Sequence, residues 1–382
     1  MKIVLVCGAR PNFMKVAPII RAINKHNTST SSTHIEPLLV HTGQHYDYEM
    51  SQVFFQDLEL PEPDVYLGVG SGTHAEQTGK IMIELEKMLL KEKPDLVVVV
   101  GDVNSTLAAA LAAVKLHISV AHVEAGLRSY DRTMPEEINR LLTDQISDYL
   151  FTHSRDADEN LKREGIPQEK IFFVGNVMVD SLLFNKARAD QSQILAQLKL
   201  AEEGYALLTL HRPSNVDEKH SLTNVMSAIT KISERIPVVF PAHPRTQKKL
   251  EAFGLLNQPP VTDYQSPITS HRLLITPPLS YLDFLKLEMY AKLVMTDSGG
   301  IQEETTVLNV PCLTLRDTTE RPITITRGTN VLVGNSPRKI VEEASKILTS
   351  QSQSQSHIEF WDGKAAERIV DVLAGRRLLE RT

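Results

Sequence analysis

The residues most able to do chemistry stand in one run, Thr296-Asp297-Ser298-Gly299-Gly300-Ile301-Gln302-Glu303-Glu304. Apolar Leu293–Met295 precedes it and reads as a buried strand; a helix is expected from Ile301 onward. A strand that ends in Asp-Ser-Gly-Gly and turns into a helix makes a compact anion site. The glycines let the backbone approach a ligand, and the first unpaired helical N–H groups point at it. Ser298 adds a hydroxyl donor. Glu303 and Glu304 are expected in the first helical turn, where a carboxylate is favourable and accepts from ligand hydroxyls. A diphosphate on one side and a sugar on the other suit such a turn; a plain capped strand–helix turn is the alternative.

Other ionisable residues recur at the same kind of place. In open α/β sheets, ligands bind beyond the carboxyl ends of the strands. Arg10 follows the apolar run Ile3–Cys7, His41 ends the run Ile35–His41 with Gln44 and His45 after it, and Asp102 follows Leu96–Val100. Glu124 ends Val120–Val123, His211-Arg212 follow Ala206–Leu210, His243 follows Val238–Phe240, and Arg316-Asp317 follow Cys312–Leu315. One such residue means little; strand after strand ending this way points to a cleft between two facing sheets.

Each motif also has a plain structural reading. Gly8-Ala9-Arg10-Pro11-Asn12-Phe13-Met14-Lys15 places two cations on a strand–turn–helix, for a phosphate or carboxyl partner or as simple surface charge. It lacks the later glycines of a dinucleotide fingerprint. Asn104 or Ser105 is expected to cap the next helix, leaving Asp102 outside the cap. Glu124 has Arg128 as a nearby candidate ion-pair partner, and Glu136 has Arg140 at i,i+4 on a helix opened by Pro135. His211 and His243 each lie beside a proline-fixed backbone, which suits a positioned imidazole or a structural one. Arg316–Pro322 is dense in charge, either a loop salt-bridge network or, through Arg321, a diphosphate clamp facing the Ser298 turn.

The elements that must position these residues alternate. Short β-branched runs, those above with Tyr149–Thr152, Ile171–Val174, Leu273–Ile275 and Val331–Val333, alternate with amphipathic stretches such as Met14–Lys25, Ala75–Lys91, Thr106–Leu116, Glu136–Ile146 and Ser221–Arg235. This is the signature of an α/β fold with parallel sheets covered on both faces. The rhythm pauses at Val177–Leu200 and restarts, so two domains are expected, 1–176 and 177–359. Thr349–His357 is polar and low in complexity, and a last helix, from about Lys364 to Leu379, packs on one domain or the other.

The 382 residues fit two cores. A net charge of -6 argues against nucleic-acid or polybasic membrane partners. Two cysteines, Cys7 and Cys312, lie in separate apolar runs and read as buried thiols of a reducing compartment. No metal-type Cys/His spacing occurs, and no run has the length of a membrane span.

Taken together, Gly8–Pro11, His122–Arg128, Pro135–Arg140, His211-Arg212, Thr296–Glu304 and Arg316–Pro322 resemble the non-hydrolysing UDP-N-acetylglucosamine 2-epimerases, nearly end to end. The resemblance implies a glycosyltransferase-B-like fold: two Rossmann-like domains about a central cleft, with a C-terminal helix, 360–382, packing back on the first. It implies a cytoplasmic homodimer that uses neither nicotinamide nor a metal. Asp102, Glu124 and Glu136 fall on the family's essential carboxylates, with Arg140 and His211 beside them. Arg10, Lys15, Phe284, Ser298, Gly299, Gly300, Glu304 and Arg321 fall on its UDP-sugar contacts. Gln44, His45, Arg212 and His243 are candidates for a second, activating UDP-N-acetylglucosamine site. Two departures stand out: Leu279 replaces a glutamine that contacts the base, and Leu67–Gly72 lacks the basic residue used at the second site. Gln44–Phe55 also resembles relatives acting on UDP-diacetamido-uronic acids.

Inverting C2 of an N-acetyl sugar is hard because no carbonyl adjoins that carbon. With no dinucleotide fingerprint, the expected route is departure of UDP from C1, which acidifies the C2 proton, through a 2-acetamidoglucal. That route needs cations and helix N–H groups for the diphosphate and carboxylates for C2. A glycosyltransferase of the same architecture, or a nucleotide-sugar sensor, is the competing reading.

Overall fold

A computed structural model describes residues 1–29, 33–44, 58–255, 272–350 and 357–375. The chain divides into two compact units, one of residues 1–184 with 359–382 and one of residues 185–358. The helix Val177–Asp190 runs through the point of division.

The first unit holds a seven-stranded sheet: β1 (Lys2–Cys7), β2 (Glu36–His41), β3 (Val65–Tyr66), β4 (Leu96–Val100), β5 (Ser119–Ala125), β6 (Tyr149–Thr152) and β7 (Ile171–Phe173). Every pairing is parallel, in the order β3-β2-β1-β4-β5-β6-β7. Leu96–Val100 is buried along its whole length, as a strand covered on both faces must be. The helix after it, Asn104–Lys115, brings Ala108, Ala109, Ala110 and Ala113 fully inside; small side chains let it lie close on the sheet. The two-residue edge strand β3 carries too little pattern to be read from sequence.

The second unit holds β8 (Ala206–Thr209), β9 (Val238–Pro241), β10 (Leu273–Thr276), β11 (Leu293–Thr296), β12 (Cys312–Thr314) and β13 (Asn330–Leu332), also all parallel, in the order β10-β9-β8-β11-β12-β13. Leu208, Phe240, Met295 and Leu313 form one side of its core with Ile229 and Ile340 from the covering helices. Both sheets reverse their strand order once, between β1 and β4 and between β8 and β11. Such a switch point opens a crevice beyond the strand ends. The residues after those four strands are Gly8-Ala9-Arg10, Gly101-Asp102, Leu210-His211-Arg212 and Asp297-Ser298.

The chain returns to the first unit at its far end. The Asp180 carboxylate accepts from the N–H groups of Ala365 and Ala366, 3.1 and 2.7 Å away, and so caps the helix Ala365–Leu373 from outside it. Trp361 donates from Nε1 to the His153 carbonyl at 2.9 Å, and Gly175, at φ +90, leaves room for the Phe360 carbonyl. No helix among the described residues is long and apolar enough to cross a membrane.

Burial pushes the Asp180 carboxyl up to about 6, against the two N–H groups that favour its charge. The folded state therefore holds the proton more tightly than the unfolded chain, whose carboxyl titrates near 3.9. The contribution of Asp180 is greatest below that value and declines as pH rises to about 6. Asp180→Ala should cost about 0.5–2 kcal/mol for the lost cap, more at pH 4 than at pH 7. Urea unfolding at both pH values checks this.

Candidate active site

In the first unit the site grows from the ends of β4 and β5. Gly101 leaves β4 at φ +67, a conformation glycine adopts without strain. A Cβ there would lie 2.6 Å from Lys15 Nζ and 3.8 Å from Glu124 Oε2, so the glycine makes room for an ion pair. That pair is Lys15 with Glu124, both nearly shut off from solvent. Glu124 sits on a bulge: the register of β5 against β6 shifts between Val123 and Ala125, and Glu124 takes φ +73. The bulge takes Glu124 out of the regular pleat. The Glu124–Arg128 pair suggested by the sequence is not made. Arg128 is engaged instead by Asp144 at 2.7 Å and Glu164 at 2.6 Å.

Asp102 follows Gly101. Its Oδ2 takes bonds from Arg140 Nη2 at 2.8 Å and Nε at 3.0 Å, two charged donors on one oxygen. Arg140 also pairs with Glu137, whose oxygens accept from Ser129 N, Ser129 Oγ and Tyr130 N. Glu136, beside it on Pro135–Ile146, is half-buried. Helix Asn104–Lys115 starts without a side-chain cap. Asn104 bonds His74 and Gln77 of the helix His74–Glu92 instead, and Ser105 bonds Gln44 Oε1 at 2.7 Å in the loop after β2.

Behind this cluster lies a residue that sequence reasoning did not single out. His122 Nδ1 is 2.7 Å from Asp144 Oδ1, and Nε2 is 2.8 Å from the Gly101 carbonyl. The ring is thus held from both sides, by a carboxylate at one nitrogen and a backbone carbonyl at the other. Burial alone would raise the Asp144 carboxyl, but the charges and hydrogen bonds of His122 and Arg128 hold it low. His122 thereby anchors the backbone from which Asp102 projects.

In the second unit Asp297, fully buried, is the hub. It accepts from the backbone N–H groups of His211 and Arg212 and from Asn215 Nδ2, at 3.1–3.2 Å. His211 Nδ1 lies 3.0 Å from its Oδ1, with the His211 side chain 57% exposed. Burial works to raise the Asp297 carboxyl, and the His211, Arg212 and Asn215 bonds hold it below its ordinary range. A buried carboxylate that grips Nδ1 leaves Nε2 of a solvent-facing imidazole for a ligand. The pairing of His211 with Asp297 joins the ends of two strands distant in sequence.

The Ser298 turn differs from expectation in one respect. Its helix, Gly299–Leu308, already includes both glycines, so Glu303 and Glu304 fall in the second turn and are buried. The missing Cβ of Gly299 is used by Arg321 and Glu320, which press against its Cα. Arg321 is held by Glu303 at 2.7 Å and Glu320 at 2.5 Å, and Arg316 by Glu320 at 2.6 Å. Burial opposes the Glu320 charge, yet Arg321, Arg316 and Arg212 hold it well below the usual carboxylate range. Phe284 and Leu279 both pack, partly buried, against the core beneath β8 and β11.

The residues suggested for a second site are held by local structure. Gln44 accepts from Ser105, Arg212 Nε donates to the Asp297 carbonyl at 3.0 Å, and His243 Nδ1 accepts from Arg245 N at the start of Pro244–Ala252. His45 and the Arg10 side chain lie outside the described residues. Among the described residues, no three His, Cys, Asp or Glu side chains converge as a metal site requires.

Comparison with known proteins decides the family. A family profile described as UDP-N-acetylglucosamine 2-epimerase matches residues 27–374. The chain belongs to the UDP-N-acetylglucosamine 2-epimerase family. A Methanocaldococcus jannaschii UDP-N-acetylglucosamine 2-epimerase is 47% identical over 98% of this chain and 99% of its own. The crystal structure of M. jannaschii UDP-GlcNAc 2-epimerase in complex with UDP-GlcNAc and UDP superposes with a TM-score of 0.86 at 47% identity, covering 98% and 100% of the two chains. A UDP-2,3-diacetamido-2,3-dideoxy-D-glucuronate 2-epimerase of Pseudomonas aeruginosa is 44% identical over 98% and 99%. The two parallel-sheet units are accordingly those of the epimerases' glycosyltransferase-B-like fold.

Gly101→Ala places a methyl group against Lys15 and imposes a strained φ. It should cost about 1–3 kcal/mol of stability and lower turnover at least about tenfold, through displacement of the Lys15–Glu124 pair. Denaturant midpoints and steady-state rates measure the two effects.

Proposed function

We propose that this protein interconverts UDP-N-acetylglucosamine and UDP-N-acetylmannosamine by inverting C2. The observation that carries the reading is the pair of anchored carboxylates at the neighbouring ends of β4 and β5: Asp102 gripped by Arg140, and Glu124 on a bulge beside Lys15. Two acidic groups from adjoining strand ends suit proton removal from one face of a carbon and delivery to the other. The M. jannaschii relative, named for this activity and alike over nearly the whole chain, supports it.

In the proposed reaction UDP departs from C1 with the bonding electron pair while a carboxylate takes the C2 proton, leaving 2-acetamidoglucal. UDP then adds back to C1 as a proton reaches C2 from the opposite face. Asp102, Glu124 and Glu136 serve C2, and Arg140 sets the direction of Asp102. Arg10, Lys15, Arg321 and the N–H groups of the Ser298 turn meet the diphosphate, where negative charge grows as the C1 bond breaks. His211, oriented through Nδ1 by Asp297, offers Nε2 to a phosphate oxygen. The protein acts as a homodimer in the cytoplasm; its two thiols, both buried and unpaired, suit a reducing compartment.

The Pseudomonas relative, nearly as similar, supports a second reading in which the sugar is a UDP-diacetamido-uronic acid and the C2 chemistry is unchanged. Rates with the two sugars, measured side by side, separate these.

Asp102→Asn should lower turnover by about 10²–10⁴-fold while UDP affinity, read by calorimetry, stays within about twofold. In deuterium oxide the unaltered enzyme should place deuterium at C2 of a product that still carries UDP, visible by proton NMR. Near-normal turnover of the variant would remove Asp102 from the mechanism. Unlabelled C2 would remove the mechanism itself.

A further inference from the structure

Behind the Ser298 turn lies a second pair of acids. Glu304 projects from Gly299–Leu308 and Glu288 from Tyr281–Met289, and the two side chains meet within hydrogen-bonding reach. Glu288 is 0% exposed, and neither of its oxygens meets a donor among the described residues. Tyr281 Oη donates to Glu304 Oε1 at 3.3 Å.

Two ionised carboxylates accept only, so they cannot bond to each other; a proton must lie between them. Burial raises both groups, Glu304 to about 7 and Glu288 well beyond the ordinary range. Their surroundings reinforce this. Tyr281 stays a neutral donor, raised by burial first and then by the neighbouring acids. Glu303, on the same helix as Glu304, adds negative charge and is itself engaged by Arg321. Cys312 of β12, beside Glu288, is pushed up to about 12 by burial and stays a thiol.

We propose that Glu288 is a positioning residue: it stays protonated, donates to Glu304, and so keeps Glu304 an oriented acceptor for hydroxyls of the UDP-sugar. This rests on the reading of Glu304 as a UDP-sugar contact. Glu288 touches no ligand; it acts through Glu304. UDP affinity then falls as pH drops through about 7, where Glu304 gains a proton and loses its charge and one of its two acceptor oxygens.

UDP binding by calorimetry from pH 5.5 to 9, with steady-state KM and kcat, tests this on the full chain. Glu288→Gln keeps a neutral donor and should hold UDP affinity within about twofold of the unaltered protein. Glu288→Leu removes the donor and should weaken UDP about tenfold at pH 7. Its low-pH midpoint should move to higher pH and its KM should rise, with kcat within about twofold. Glu288→Met serves if the leucine variant does not fold. A Gln variant as weak as the apolar one, or an apolar variant with an unmoved midpoint, overturns the proposal, since a purely packing role predicts either. Glu304→Ala separates the two readings. If it leaves UDP affinity unchanged, the assignment of Glu304 fails, and this inference with it. If it weakens UDP but the Glu288 variants do not behave as stated, only the role of Glu288 fails.

Discussion

A carboxylate withdrawn from water must be met by a cation or a set of donors, and both sheets of this protein end in carboxylates. That constraint organises the strand ends. Glu124 takes Lys15, Asp102 takes Arg140, Asp297 collects N–H groups from the chain after β8, and Glu303 and Glu320 share Arg321. Each pairing fixes two side chains at once, so the same bonds that make burial tolerable also hold the strand-end acids in place. At Glu288 and Glu304, where no cation is found among the described residues, a retained proton does the same work.

The backbone bends to allow this. Gly101 and Glu124 both adopt positive φ at neighbouring strand ends, and the β5 bulge aims Glu124 out of the pleat. A positive φ at a glutamate is uncommon and is sustained by its surroundings, here the buried partner Lys15. Gly299 works by absence: with no side chain of its own it leaves space for an arginine.

Much of the architecture was legible in the chain. Continuous runs such as Leu96–Val100 could only be buried parallel strands, and the switch points fall where the chemically able residues cluster. What escaped was pairing between distant segments. Arg128 had Glu124 close in sequence and found Asp144 and Glu164 instead, because the packing of two helices beside the end of β5, not spacing along the chain, sets which groups meet. His122, Asp144 and Glu288 sit within apolar or helical patterns and carry no local signal of their partners. Asp297 was visible as a strand-end acid, but its grip on His211 spans two strands. The first turn of Gly299–Leu308 was misplaced because glycines weaken a helical pattern even when they are helical.

The path of the chain has a consequence for synthesis. The first unit is interrupted: Asp180 waits for a helix that begins only at Ala365, after the whole of the second unit. Domains emerging from the ribosome tend to fold as units. Here the uninterrupted later unit can mature while the earlier one still lacks its closing helix, so the half made first is the half finished last.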